Sequence, residues 1–417
     1  MRLAQAASIC LLLSFAALSA FGQSNPVPFV NQPLVPSAVA PGGPDFTLTV
    51  NGTGFVSGAT VNWNGMPLTT TFVSTAQLTA TVPDANIATA GTASVTVNNP
   101  GAGRSNPAFF TVTFAVPGVV FDAVPFDLPN STTSPWAAVG DFNGDGNLDV
   151  ALAEENLDAV GILLGNGDGT FQFSGSYSMA SDPVALVNGD FNGDGLPDLA
   201  ACDGSGNVSI FLGKGNGTLQ ALATYYLGLA SGITCGLATG DFNGDGKLDI
   251  IAASASLEIL LGNVDGTFQP PQIIGGGYSV AVGDYNGGGK LDVAAAGSLI
   301  AGSSQLAILL GNGNGTFQPP KTYAPPPNTY SSSVATADFN GDGKLDLAVG
   351  YYSVPPSHTL EGSLSVMLGN GDGTFQNPST YTASGPVTGV LPMDLNGDGL
   401  LDLALTNGQD SNLLSVL

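Results

Sequence analysis

Six nine-residue acidic turns carry most of the chemistry available to this 417-residue chain. The first is Asp141-Phe142-Asn143-Gly144-Asp145-Gly146-Asn147-Leu148-Asp149, and the pattern returns at Asp190, Asp241, Asp284, Asp338 and Asp394. Asp at positions one, five and nine and Asn at position three present hard oxygen donors, and position seven adds a backbone carbonyl. Such a set suits Ca2+, which takes about 6–8 oxygens at about 2.3–2.6 Å, with water or a bidentate Asp supplying the remainder. Gly at positions four and six lets the chain curl with positive φ. Asp-Asn-Gly turns also form without metal. Against that alternative, seventeen of the 32 acidic residues sit in these turns, and three carboxylates within nine residues repel unless a cation lies among them. The fourth copy has Gly288 where the others have Asp, so it is expected to be weak or empty.

The elements that must position these turns are short strands. The turns recur at intervals of 49, 51, 43, 54 and 56 residues, the length of a four-stranded propeller blade. An apolar-Ala-apolar strand follows each one, such as Val150-Ala151-Leu152, so a hairpin fits better than the helix-flanked loop of an EF-hand. A second strand and turn come next, Ile162-Leu163-Leu164-Gly165-Asn166-Gly167-Asp168-Gly169-Thr170-Phe171, with equivalents ending at Leu219, Phe268, Phe317 and Phe375. The acidic position of this second turn alternates between Asp and Asn (Asp168, Asn216, Asp265, Asn314, Asp372), which favours a tight turn over a metal site. Pairs such as Phe171/Tyr177, Phe317/Tyr323 and Phe375/Tyr381 are six residues apart, on one face of a strand, where they can pack on the next blade.

The combination of DxNGDGxxD with LLGNGDGTF at this spacing resembles the FG-GAP/VCBS repeat family, which is related to the propeller of integrin α-chains. The resemblance covers residues 115–417 and implies that each acidic loop is a Ca2+ site joining two strands of a blade. The implied ligands are Asp141, Asn143, Asp145 and Asp149; Asp190, Asn192, Asp194 and Asp198; Asp241, Asn243, Asp245 and Asp249; Asp338, Asn340, Asp342 and Asp346; and Asp394, Asn396, Asp398 and Asp402. Asp284, Asn286 and Asp292 form the weaker site. Six loops predict six blades, or seven if the chain is a piece of a longer one. The sixth copy stops at Leu417 without a fourth strand, which Val119–Phe126 is expected to supply, closing the ring.

Before the repeats, residues 33–114 alternate as short strands, among them Phe46-Thr47-Leu48-Thr49-Val50 and Ala59-Thr60-Val61-Asn62-Trp63, the latter ending at an Asn64-Gly65 hairpin signal. The run GPDFTLTVNGTGFVSGATVNWNG, followed by LTATVP and GTASVTVNNPG, resembles the IPT/TIG family of Ig-like domains, which serve as spacers or binding modules. Trp63 is expected in its core. The predicted fold is therefore all-β, an Ig-like β-sandwich followed by a β-propeller. Arg2, an apolar stretch from Ala6 to Ala17 and small residues up to Gly22 read as a secretory signal at 1–22, and 23–32 as a linker. No later stretch is apolar enough for a membrane span, so none is expected after signal cleavage. Cys202 and Cys235 then remain as either a disulfide or buried thiols.

Charge and composition narrow the function. Seven basic residues against 32 acidic ones, a net charge of −25, leave no face for nucleic acid. With one His and no nucleophile motif, catalysis has few candidate residues. The expected function is a secreted, calcium-binding, non-catalytic adhesion or recognition module for an extracellular protein or glycan. The alternatives are a lyase-like polysaccharide-degrading propeller and a purely structural surface protein. In an up-and-down blade both turns share one face, so the other face, with Tyr351, Tyr352 and His358, is the expected partner surface.

Overall fold

The computed structural model describes residues 25–31, 34–114, 136–227, 235–254, 256–298, 304–353, 362–383, 385–395, 400–407 and 414–416. The expected signal segment, the closing strand Val119–Phe126, and His358, Asn396 and Asp398 lie outside the described residues.

The N-terminal unit is a sandwich. One sheet orders its strands Phe29–Val30, Phe46–Thr53, Gln77–Val82, Thr69–Ser74; the other orders Ala38–Val39, Ala108–Val112, Gly91–Asn98, Thr60–Trp63, Met66–Pro67. Alternating residues of each strand point inward, so Leu48, Val50, Val61, Leu78, Val95 and Phe110 close a single core. Trp63 belongs to that core as expected, 5.2 Å from the Phe110 ring. Asn64 and Gly65, with φ of 48° and 78°, form the tight turn that joins Trp63 to Met66. The stretch expected as a linker is instead part of the fold. Phe29–Val30 pairs with Phe46–Thr53 as an edge strand, and Val27 and Val30 are buried.

Among the described residues the repeats form six successive antiparallel sheets, labelled blades 1 to 6, each running in sequence order. Blade 1 comprises Ala137–Gly140, Asp149–Glu154, Ala159–Gly165 and Phe171–Ser178, and blades 2 to 5 repeat this plan. Blade 6 has three strands among the described residues, Val387–Met393, Asp402–Asn407 and Leu414–Val416. The first strands of consecutive blades lie side by side. The apolar cores sit between blades rather than within them: one cluster joins blades 1 and 2, the next blades 2 and 3, and so on to blades 5 and 6. A single blade has two apolar faces, so neither can be buried until a neighbour stacks on each.

The two members of each aromatic pair take opposite faces rather than the one expected, because a bulge in the fourth strand adds a residue between them: Leu219 packs toward blade 1 and Tyr225 toward blade 3, and Phe317 and Tyr323 divide in the same way. The Tyr225 hydroxyl of blade 2 accepts the Phe268 N–H of blade 3 at 2.7 Å, and the two rings meet edge to face at 5.9 Å. Tyr323 does the same for Phe375, and Tyr177 accepts the Leu219 N–H. Cys202 and Cys235 are joined as a disulfide, with Cα atoms 6.3 Å apart, tying blade 2 to the segment that enters blade 3.

Replacing Tyr225 by Phe keeps the ring and removes the acceptor, leaving the part-buried Phe268 N–H without a partner. The expected loss is about 1–3 kcal/mol, measured as a lower urea midpoint at unchanged slope.

Candidate functional site

Each acidic turn closes a hairpin. The residue before position one pairs with position nine in every blade: Gly140 with Asp149, Gly189 with Asp198, Gly240 with Asp249, Gly283 with Asp292, Ala337 with Asp346 and Met393 with Asp402. The second turn connects the third and fourth strands at the same end of the blade, with Gly165 opposite Phe171 in blade 1.

Position nine welds the two turns together. Asp249 is fully buried; its Oδ2 accepts the Phe242 N–H at 2.9 Å and its Oδ1 accepts the Gly262 N–H at 2.8 Å. Asp149, Asp198, Asp292 and Asp346 make the same two bonds. The glycine on the far side is sterically required: a Cβ on Gly262 would stand 2.2 Å from the Leu248 carbonyl oxygen, and Gly165, Gly213, Gly311 and Gly369 are equally crowded.

Position one holds the loop's curl. Asp190 Oδ1 accepts the N–H of Gly193 and Asp194, and Oδ2 that of Gly195. Asp141, Asp241 and Asp338 repeat this pattern. Gly193 and Gly195, with φ of 75° and 85°, allow the turn that aims those amides inward. Asn192 Oδ1 accepts the Asp194 N–H and its Nδ2 donates to Asp194 Oδ2 at 3.0 Å; Asp194 Oδ1 accepts the Leu196 N–H. Asn143, Asn243 and Asn340 likewise accept from Asp145, Asp245 and Asp342. In loop 6, Asp402 accepts the Leu395 N–H at 2.9 Å, and Asp394 receives the Ser37 hydroxyl at 3.4 Å.

The fourth loop has a different hydrogen-bond pattern. Asn286 turns away from position five and donates to Asp292 Oδ2 at 2.9 Å. A Cβ at Gly288 would meet Asn286 Oδ1 at 2.4 Å, so Gly288 and the altered Asn286 belong together.

Among the described residues, no three Asp, Glu, His or Cys side chains are gathered into a cluster able to hold a metal; the sequence brings the donors to one loop, but their charged heads face backbone amides. The donor set nevertheless fits a hard cation. Each carboxylate oxygen can accept about two hydrogen bonds, and position nine of loops 1, 2, 3 and 5 uses one on each. The loops contain no nitrogen or sulfur donor of the kind softer metals prefer. Burial also holds the position-nine carboxyls above their ordinary values, Asp198 and Asp292 to about 7 and Asp249 to about 8. The neighbouring carboxylates at positions one and five push Asp198 and Asp249 the same way. Burial likewise raises Asp149, Asp190, Asp241, Asp284 and Asp346.

The second turn is an Asx turn. Asp168 Oδ1 accepts both the N–H and the hydroxyl of Thr170, and Asn216, Asp265, Asn314 and Asp372 do the same for their threonines. Only one carbonyl-type oxygen is used, so Asp and Asn interchange freely.

The sandwich meets the acidic loops, an arrangement that strand patterning does not encode. Arg104 donates to the Gly195 carbonyl of loop 2 at 2.8 Å, and the Val27 N–H to Asp241 Oδ2 of loop 3 at 3.3 Å. Val27 enters the apolar layer between blades 2 and 3, and Phe29 packs on that between blades 3 and 4. The expected partner residues fare differently. Tyr351 is only 3% exposed and packs between blades 4 and 5, because its position in Asp346–Ser353 points inward, so it offers no contact surface. Tyr352, its neighbour on the opposite strand face, is half-buried and stacks on the exposed Tyr330 at 5.5 Å.

FG-GAP-like repeats match residues 141–189, 190–252, 296–349 and 354–405, and an IPT/TIG domain matches residues 32–112. The chain belongs to the FG-GAP-like repeat family. The repeat match passes over the degenerate fourth loop. FG-GAP and TIG domains are typical of extracellular or surface proteins. No curated protein matches the chain. Among solved structures, a Bacteroides uniformis protein described as a putative 6-phosphogluconolactonase is 15% identical, with 78% of this chain and 87% of that one covered at a TM-score of 0.49. A functionally unknown protein from Desulfotomaculum acetoxidans is 12% identical over 78% and 88%, at 0.46. The V. cholerae biofilm matrix protein Bap1 is 20% identical over 60% of this chain and 39% of its own, at 0.38. Likeness at this level assigns no function. Among the described residues of this FG-GAP-like protein, no helix is long and apolar enough to cross a membrane.

A carboxyl raised above its ordinary value favours folding while it keeps its proton and loses that contribution as pH climbs through its folded value. In chelator, the melting temperature is therefore expected to fall between about pH 5 and about pH 8 as Asp198, Asp249 and Asp292 ionise in place. Excess calcium should flatten that slope. Melts across this range, with and without EDTA, measure both.

Proposed function

We propose that this FG-GAP-like repeat protein is a secreted, calcium-stabilised β-propeller that acts as a non-catalytic extracellular binding or adhesion module. The observation that carries the reading is the weld at position nine. A buried carboxylate there, with two more acids in the same nine residues, is costly without a cation and rigid with one. Asp141, Asn143, Asp145 and Asp149, and their equivalents in loops 2, 3, 5 and 6, would hold the ion, with loop 4 weak or empty. Bound calcium supplies charge neutralisation and a fixed hairpin end. The six blades, each stacked on the next, are taken as one ring closed by the segment before blade 1. The partner is an extracellular protein or glycan.

Metal analysis of the purified mature protein tests this directly. It should find about five calcium ions per chain, in keeping with the weak affinity of extracellular modules, about 10⁻⁴–10⁻³ M. EDTA should lower the melting temperature, by mass action on the folded state. An absence of calcium together with an EDTA-insensitive melt refutes the reading. Loss of polyuronate viscosity on incubation would replace the non-catalytic role with a lyase.

A further inference from the structure

Residues 25–31 are shared between the sandwich and the propeller. Their backbone belongs to the sandwich. Phe29–Val30 pairs with Gly52 and Thr53, and the Asn31 N–H donates to the Asn51 carbonyl at 2.9 Å. Asn99 Nδ2 donates to the Pro26 carbonyl at 2.8 Å, and the Asn106 side chain exchanges two hydrogen bonds with the Val30 backbone. The close approach is sterically enforced, since a Cβ on Gly52 would stand 2.0 Å from the Phe29 carbonyl oxygen.

The side chains divide with period two. Val30 enters the sandwich core, whereas Val27, Phe29 and Asn31 face the propeller. These three meet successive junctions between blades. Val27 is buried in the apolar layer between blades 2 and 3, and Phe29 packs on the layer between blades 3 and 4. Asn31, also buried, stands beside Asp284, Asp338 and Leu345, where loops 4 and 5 meet. A polar anchor accompanies the apolar ones, the Val27 N–H on Asp241 of loop 3. Arg104 on loop 2 and Ser37 on loop 6 add contacts to either side of this line. Domains joined through polar surface move relative to one another by default. Here the sandwich inserts apolar side chains into the layers that hold the blades together, so lifting it off would expose those side chains and the ends of two layers at once.

We propose that residues 25–31 are a strap that fixes the sandwich as a rigid cap on blades 2 to 4, so that sandwich and propeller unfold as one cooperative unit. The sandwich is then a structural part of the propeller rather than a spacer beside it. The strap needs no bound ion, and it goes beyond the calcium reading above.

Calorimetry of the full mature protein tests this, alongside fluorescence in a Trp136→Phe background that leaves Trp63 as the reporter of the sandwich. Expected is a single heat-absorption peak with the Trp63 signal changing at the same temperature. Val95→Ala, a cavity in the sandwich core, should lower peak and signal together. Val27→Asp combined with Phe29→Asp keeps the backbone bonds to the sandwich and removes the apolar anchors. It should split the peak in two, and adding Val95→Ala should then shift only the Trp63 transition. Val27→Ala with Phe29→Ala replaces the aspartate pair if that pair does not fold. Two transitions in the parent, or a Val95→Ala shift confined to Trp63 there, overturn the strap. So does a single transition that persists once the anchors are removed. Metal content reads the other proposal separately: bound calcium with two parental transitions rejects the strap alone, and one splittable transition without calcium rejects the calcium reading alone.

Discussion

The repeat half of the molecule depends on one buried carboxylate in each of blades 1 to 5. At position nine it accepts an N–H from the start of the acidic loop and another from the glycine that begins the second turn. Those two amides would otherwise sit unpaired in a closed space, at a cost of about 1–3 kcal/mol each. The same geometry forbids a side chain on that glycine, because the position-eight carbonyl passes against it. Two turns that are far apart along the chain are thereby fixed at one end of the sheet, and the charge that fixes them raises the local electrostatic cost.

Blades become a single body through what they share. Their apolar faces are useless alone, and the clusters alternate between neighbours all along the series. Among the described residues, a tyrosine hydroxyl, a second-turn amide or both cross each of the four seams from blade 1 to blade 5: Tyr177, Tyr225 and Tyr323 accept across three of them, and Gly217, Gly315 and Gly373 donate to the carbonyls of Phe142, Phe242 and Tyr285. The glycine bonds run from the second turn of one blade to the acidic loop of the preceding one. Disturbance of one loop therefore reaches the neighbouring seam, and a cation that stiffens a loop stiffens more than its own hairpin.

The sandwich extends that coupling beyond the repeats. Its N-terminal segment supplies Val27 and Phe29 to two different seams and places a backbone N–H on an acidic-loop carboxylate. Arg104, one of seven basic residues in a chain of net charge −25, meets the neighbouring loop. With so few cations available, where each one stands shapes the local potential strongly.

The linear order of residues already determined the strands, the acidic turns, the departure of the fourth loop from the common pattern and the Asp/Asn tolerance of the second turn. All of these are local: they follow from period-two patterning and from side chains bonding to amides within a few residues. Trp63 was legible for the same reason, as an inward position in an alternating strand. Tyr351 and Tyr352 were not, because adjacent residues of a strand take opposite faces, and only the stacking of blades shows which face is covered. Nor could spacing show that Cys202 and Cys235 meet, that the stretch before residue 33 pairs as an edge strand, or that the sandwich lies against the acidic loops. Those depend on contacts between residues tens to hundreds of positions apart, and only the assembled chain brings such residues together.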